Sequence, residues 1–175
     1  AEIWFGDESG VRSDYHAGTT WAARGKTPVV RTTGARYRLN MLSAVNRRGK
    51  MRFMIEAKGL NADVMCRFLD RLMAGQKRRV FLILDGHPIH KSARLARKVS
   101  GFDGRLKLFL LPPYSPELNP DEGVWREVKG HRLGRAGIFS FADLKSKALG
   151  ALRHLARRPD KVRALFRTHT TIYAA

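Results

Sequence analysis

The segment VFLILDG, residues 80 to 86, is a run of five apolar residues that ends in Asp85 and Gly86. An uninterrupted apolar run of this length is typical of a strand that is covered on both faces, as parallel strands are. We therefore predict a buried central strand at 80–84, with Asp85 emerging at its end.

The segments on either side of this strand predict the rest of a mixed sheet. Apolar residues alternate before it, and LKLFLL follows it, which predicts further strands at 2–5, 37–45, 50–57 and 106–111. Apolar residues at helical spacing predict helices at about 61–74, 91–99, 120–131, 141–156 and 159–166. This order of strands and helices favours a single α/β domain.

The composition favours a folded protein that binds a polyanion. The 175 residues include 34 Lys and Arg against 15 Asp and Glu, a formal net charge of +19. Hydrophobic residues make up 43% of the chain, enough to build a core, which excludes a disordered basic tail. Without a membrane span or a signal peptide, the sequence predicts a soluble, intracellular protein. The single cysteine, Cys66, excludes an internal disulfide and a Cys-based zinc site.

Three acidic residues lie at the ends of predicted elements. Asp7 follows the first strand, Asp85 follows the fourth, and Glu122 lies in the first turn of the helix after a proline-rich loop. Strands one and four are commonly neighbours in a sheet of this order, so Asp7 and Asp85 are expected to emerge side by side and to share a divalent cation. Glu122 would then close the site from the helix.

Each of these acids also has a simpler interpretation. An Asp at the end of a strand is often only a turn residue. Asn119, Pro120 and Glu122 have the spacing of a helix capping box, which gives Glu122 a purely structural role. The neighbouring acids Glu8 and Asp121 stay open as alternatives at this point.

Three carboxylates suit the chemistry of phosphodiester cleavage. In-line attack needs an activated water or 3′-hydroxyl and a stabilised leaving oxygen, and two Mg²⁺ ions about 3.5 to 4 Å apart supply both. Mg²⁺ takes oxygen ligands, so a few Asp and Glu residues suffice. Clustered acids repel one another when no cation is bound, so at least one of them is expected to have a raised pKa in the metal-free protein.

Four segments carry a resemblance to a known family: FGDESG (5–10), WAARGKTPVV (21–30), LILDGHPIHKS (82–92) and LPPYSPELNPDEGVWREVK (111–129). They closely resemble the DDE catalytic domain of bacterial insertion-sequence transposases of the mariner-like superfamily, over nearly the whole chain. The resemblance implies a ribonuclease H-like α/β fold, a mixed five-stranded sheet flanked by helices. It also implies that Asp7, Asp85 and Glu122 are catalytic and bind two Mg²⁺ or Mn²⁺ ions.

The chain departs from its apparent relatives at two points. Gly86 stands where they often have Asn, and the chain begins at the first catalytic strand instead of an N-terminal helix-turn-helix region. We therefore expect residues 1–175 to form the catalytic domain alone, without that DNA-binding region.

The function implied by the resemblance is DNA transposition. The domain would hydrolyse a DNA strand at a transposon end and transfer the freed 3′-hydroxyl into target DNA, as a homodimer in a synaptic complex, in the bacterial cytoplasm and associated with the nucleoid. A non-catalytic DNA-binding module derived from a transposase and a metal-dependent nuclease of the same fold remain as alternatives.

Several further residues are candidate DNA contacts, because they flank the three acids or belong to basic or aromatic loop segments. They are Trp21, Arg24, Lys26, His87, His90, Lys91, Tyr114 and Ser115. As a zinc pair, His87 and His90 would lack further soft ligands. Trp125 is expected in the core.

Overall fold

A five-stranded mixed sheet forms the centre of the protein in the computed structural model, which describes residues 1–14, 21–29, 31 and 33–175. The strands are β1 (Glu2–Arg12), β2 (Arg38–Val45), β3 (Met51–Glu56), β4 (Val80–Leu84) and β5 (Leu106–Leu110). Their order is β3-β2-β1-β4-β5, with β1, β4 and β5 parallel and β2 and β3 joined by antiparallel pairing. The predicted neighbours, strands one and four, therefore pair directly.

The first strand is longer than the sequence predicts. Its first part, Glu2 to Phe5, pairs in parallel with β4, and the strand then continues to Arg12 because β2 goes on pairing with it. Gly6 allows β1 to lie close to β2, since a Cβ atom at this position would be only 3.2 Å from the Ser43 carbonyl oxygen. The prediction that Asp7 follows the strand is wrong: it lies within β1, opposite Ser43.

Helices cover both faces of the sheet. On one face lie α1 (Ala62–Met73) and α2 (Ala93–Ser100), and on the other lie α3 (Glu122–Trp125), α4 (Phe141–Ala156) and α5 (Pro159–Ala164). Each face has its own apolar core, with Trp4 in the first and Phe5 in the second because successive strand residues point to opposite faces. Within the described ranges, no helix is long and apolar enough to cross a membrane.

The helix boundaries follow local capping chemistry. The side chain of Asn61 accepts a hydrogen bond from the Val64 N–H at 2.9 Å and so caps α1. The helix predicted to begin at about 91 begins at Ala93 instead, because Pro88–Lys91 forms a 3₁₀ turn. The helix predicted at 120–131 is α-helical only as far as Trp125 and continues as a π-helix over Arg126–Leu133. Such wide turns are rare and are frequent at functional sites.

Candidate active site

The three predicted acids line one cleft of about 420 Å³ at the carboxyl ends of β4 and β5. Asp7 comes from within β1, Asp85 directly follows β4, and Glu122 begins α3. The remaining walls are formed by the 3₁₀ turn and by the proline-rich loop that leads to α3: Gly86, His87, Lys91, Leu111, Pro112, Pro113, Tyr114, Ser115, Pro116 and Asn119. Residues 115 positions apart in the sequence therefore meet at one opening.

Asp7 is the most deeply placed of the three acids. Its Oδ2 accepts a hydrogen bond of 2.7 Å from the indole Nε1 of Trp125, which fixes the carboxylate against the second core. Burial, and then the charge of Glu122, raise the pKa of Asp7 from its ordinary 3.8 to about 8, although the bond from Trp125 lowers it. The part of this rise that comes from Glu122 is the repulsion expected for clustered acids without a cation, and burial contributes more.

Asp85 lies at the mouth of the cleft, with half of its side chain exposed. Its Oδ1 accepts a hydrogen bond of 3.0 Å from the backbone N–H of His87, the turn chemistry expected for an Asp that ends a strand. The same oxygen lies 2.9 Å from Nδ1 of His90. The turn interpretation of Asp85 is therefore correct and is compatible with a place in the cleft.

Glu122 does not form the capping box that its spacing suggests. That motif requires the Glu122 carboxylate to accept from the backbone N–H of Asn119, which instead donates to the Pro116 carbonyl at 2.9 Å. The Asn119 side chain accepts from the Asp121 N–H at 3.0 Å and donates to the Gly6 carbonyl at 3.1 Å, tying the start of α3 to β1. The carboxylate of Glu122 is left facing the cleft.

The two neighbouring acids that the sequence could not exclude do not line the cleft. Glu8 pairs opposite Leu42 and lies on the sheet face covered by α1, away from Asp7. Asp121 is fully buried and accepts a hydrogen bond of 2.6 Å from the Ser43 hydroxyl. Burial raises its pKa well above the ordinary value, as expected for a protonated structural carboxyl.

A lysine that the sequence analysis did not single out lies near the cleft. Lys129, in the π-helical segment, is partly buried; burial lowers its pKa, whereas the charges of Glu122 and Asp7 raise it. It therefore offsets part of the negative charge that the acids bring together. Neither Lys129 nor the Trp125 bond to Asp7 has a signal in the local sequence, because both depend on how the helix docks on β1.

The candidate DNA contacts fall into three groups. His87, Lys91, Tyr114 and Ser115 line the cleft. Trp21, Arg24 and Lys26 are exposed in a separate turn, which is closed by a hydrogen bond from the Lys26 N–H to the Ala23 carbonyl. The His90 side chain is only 1% exposed, which disagrees with the expectation that it contacts DNA. Its two ring nitrogens face acidic residues instead.

The cleft has the chemistry of a site for a hard divalent cation. Its three carboxylates are oxygen donors of the kind that such a cation takes, and the pKa of Asp7 is raised by burial first and by the charge of Glu122 second. Among the described residues, the group of three acidic, His or Cys side chains with ligand atoms within 4.8 Å of one another is Glu8, Asp85 and His90. Asp85 belongs both to this group and to the three acids of the cleft.

The Asp7→Asn variant is expected to keep more of its stability than the wild type as the pH rises. The pKa of Asp7 is about 8 in the folded protein and near 3.8 in the unfolded chain, so its stabilising contribution is complete below about pH 4 and is lost as the pH rises to 8. Asn does not ionise. Between pH 5 and 8.5 in EDTA, the Tm of the wild type should fall relative to that of the variant by roughly 10 °C, which corresponds to about 4 kcal/mol.

Asp103→Asn is the matched control, because Asp103 is exposed and its positive φ of 49° suits Asn equally well. Its Tm should follow the wild-type curve. Parallel curves for Asp7→Asn and the wild type would contradict the shifted pKa of Asp7.

Solved structures with a similar fold include complexes of the Mos1 mariner transposase. The Mos1 paired-end complex with Mn aligns with a TM-score of 0.63 at 14% identity, covering 99% of this chain and 56% of that chain. The Mos1 strand transfer complex gives 0.60 at 18% identity, with 93% and 54% covered. The isolated Mos1 catalytic domain gives 0.56 at 14% identity, with 93% and 81% covered. These likenesses confirm the predicted ribonuclease H-like fold.

A curated relative is the uncharacterized protein y4pE/y4sA of Sinorhizobium fredii. It is 32% identical over 84 residues, which cover 48% of this chain and 58% of that protein. The match therefore spans little more than half of the relative's length.

A family model described as "DDE superfamily endonuclease" matches residues 2–145, a range that includes β1 to β5 and all three acids of the cleft. The relationship predicted from the four sequence segments is thus confirmed at the level of family and fold. The chain belongs to the DDE superfamily endonucleases.

Proposed function

We propose that this chain is the catalytic domain of a DNA transposase, in which Asp7, Asp85 and Glu122 bind the divalent metal ions that cleave and join DNA strands. The observation that carries the proposal is the meeting of these three carboxylates in one cleft, from three separate elements of a DDE endonuclease fold. The proposed species are two Mg²⁺ or Mn²⁺ ions. When bound, such ions activate the attacking oxygen and stabilise the leaving one.

The protein itself sets the orientation of the carboxylates and their protonation. The Trp125 indole holds one oxygen of Asp7, and the His87 N–H holds one oxygen of Asp85, so both carboxylates have a defined orientation before a cation arrives. Asp7 must lose its proton to act as a ligand. Since its pKa is about 8, metal binding near neutral pH is expected to release a proton, and affinity is expected to increase with pH.

The surroundings of the acids suit a nucleic acid strand. A second cleft of about 700 Å³ adjoins the first, and Pro116, Asn119 and Glu122 line both, so a groove continues past Glu122. Lys91 lies in one cleft and Arg126 in the other. With a net charge of +19, the chain has many cations for phosphate contacts, which dominate nucleic-acid affinity.

The wider assignment concerns how the whole protein works. We propose that two copies act together on paired transposon ends in the bacterial cytoplasm, on the nucleoid DNA. Support comes from the fold likeness to Mos1, whose structures include a paired-end complex and a strand transfer complex. Sedimentation of the protein with and without transposon-end DNA tests the pairing, and a 1:1 complex at all concentrations would contradict it.

The proposal predicts DNA nicking that depends on a divalent cation. Supercoiled plasmid should be nicked in Mn²⁺ or Mg²⁺ and left intact in EDTA, because the carboxylates alone neither activate the attacking oxygen nor stabilise the leaving oxygen. A labelled oligonucleotide with a free 3′-hydroxyl should also become joined to the plasmid. Nicking without joining would favour the nuclease alternative, and DNA binding without nicking would favour the non-catalytic module; either result contradicts the transposase assignment.

A further inference from the structure

A buried histidine connects two acids that lie on different sides of the sheet. The side chain of His90 is 1% exposed, and its Nδ1 lies 2.9 Å from Oδ1 of Asp85 and 3.1 Å from the Asp85 carbonyl oxygen. On the other side of the ring, Nε2 lies 3.3 Å from Oε2 of Glu8. The imidazole thus lies between two carboxylates, one of them in the cleft, and its Nδ1 is hydrogen-bonded to the Asp85 carbonyl oxygen.

The chain reaches this arrangement through two local features. Alternation along β1 directs Glu8 to the face opposite Asp7, where it meets the segment that follows β4. The 3₁₀ turn at Pro88–Lys91, closed by a hydrogen bond from the His90 N–H to the His87 carbonyl at 2.9 Å, turns His90 back beneath Asp85. Sequence spacing alone did not reveal this contact, because 81 residues separate Glu8 and His90.

Asp85 has few other constraints on its orientation. It is half exposed, it is followed by Gly86, and its backbone is no longer held by strand pairing. Trp125 holds Asp7 in an equivalent way. Partners of this kind orient metal ligands, and their loss typically costs about 10- to 100-fold in metal affinity.

We propose that His90 is a positioning residue: its Nδ1 bonds the Asp85 backbone carbonyl and lies beside the Asp85 carboxylate, which fixes that carboxylate for metal binding, while Glu8 lies on the far side of the ring. The inference rests on the proposed role of Asp85 as a metal ligand. It gives Glu8 a function without making it a ligand. The competing arrangement, in which Glu8, Asp85 and His90 themselves bind a cation, is an outcome of the test.

Two substitutions separate the contacts of the two ring nitrogens. In His90→Asn, the amide nitrogen takes the place of Nδ1 and still donates to Asp85, but the contact with Glu8 is lost. In His90→Gln, the amide nitrogen takes the place of Nε2, and the contact with Asp85 is lost. Mn²⁺ affinity, measured by the electron paramagnetic resonance of free Mn²⁺, should fall tenfold or more in His90→Gln and by less than about threefold in His90→Asn. His154→Asn, on α4 outside both clefts, is the control and should bind as the wild type does.

Other outcomes overturn the proposal. Equal Mn²⁺ affinity in both variants and the wild type would show that the contact with Asp85 does not position it. If Glu8→Gln loses Mn²⁺ binding as completely as Asp85→Asn does, Glu8 is a ligand and His90 belongs to a metal site of its own. Mn²⁺ binding also reports on positioning if the wild type proves unable to nick DNA, so a failure of the proposed function is distinguishable from a failure of this inference.

A measurement on the folded wild type decides the case in which neither His90 variant folds. In protein with ¹⁵N-labelled histidine, the Nδ1–H proton of His90 should give a downfield NMR signal that exchanges slowly with water. The signal should move in Asp85→Ala, which removes the carboxylate that lies 2.9 Å from Nδ1. An unchanged signal would overturn the proposed contact.

Discussion

Asp85→Asn is expected to lower the rate of metal-dependent strand cleavage by about 10³-fold or more while leaving DNA affinity within about threefold of the wild type. The amide keeps the size of the side chain and still accepts from the His87 N–H, so the end of β4 is not disturbed. It removes the negative charge through which a cation would be held. A 10³-fold lower cleavage rate corresponds to a loss of about 4 kcal/mol in transition-state stabilisation. Cleavage assays and gel shifts on one preparation measure both quantities.

Two matched variants make this result specific. Asp103→Asn changes an exposed acid outside the cleft and should cleave at the wild-type rate. Asp121→Asn changes the acid beside Glu122 but keeps the acceptor for the Ser43 hydroxyl, so it should retain cleavage within about tenfold if it folds. Wild-type cleavage by Asp85→Asn would contradict the assignment of Asp85 as a metal ligand.

The affinity of the chain for duplex DNA is expected to fall by roughly 10³-fold between 50 and 200 mM salt if about six phosphates are neutralised. The reason is the net charge of +19 carried on a folded body: each phosphate contact releases condensed counterions, and added salt opposes that release. Fluorescence anisotropy at several salt concentrations gives the slope of log affinity against log salt.

The position of the cations can be tested with the same assay. Lys91→Gln removes one cation from the cleft and should therefore reduce the magnitude of the slope by about one, the value of one phosphate contact. Lys77→Gln is the control, because Lys77 precedes β4 at the end of the strand away from the acids. A slope near zero for the wild type, or equal slopes for all three proteins, would show that DNA binding at the cleft does not rest on these phosphate contacts.

Local signals in the sequence predicted much of the fold. The run 80–84 is β4, the range 141–156 is α4, and Asn61 caps α1, as expected from apolar periodicity and capping chemistry. Each of these features depends on residues close together in the chain. The parallel pairing of β1 with β4 followed from the order of the elements.

The features that the sequence did not predict depend on distant contacts. Asp7 lies within β1 because β2, some 35 residues later, extends the pairing beyond β4. His90 meets Glu8 from a distant part of the chain, and the orientation of Asp7 depends on Trp125, which is 118 residues away. The capping-box spacing at Glu122 was misleading because Pro116 supplies the acceptor for the Asn119 N–H.

A crystal structure of the protein soaked in Mn²⁺, with the metal located by its anomalous scattering, tests directly whether Asp7, Asp85 and Glu122 form the metal site. We expect an anomalous peak in the cleft, bound by the carboxylates of Asp7 and Asp85, with Glu122 facing the same metal centre. Asp7→Ala crystals treated in the same way should lose the peak. A peak bound by Glu8 and His90, with Asp7 and Glu122 left without metal, would contradict the assignment of Asp7, Asp85 and Glu122 as the metal ligands.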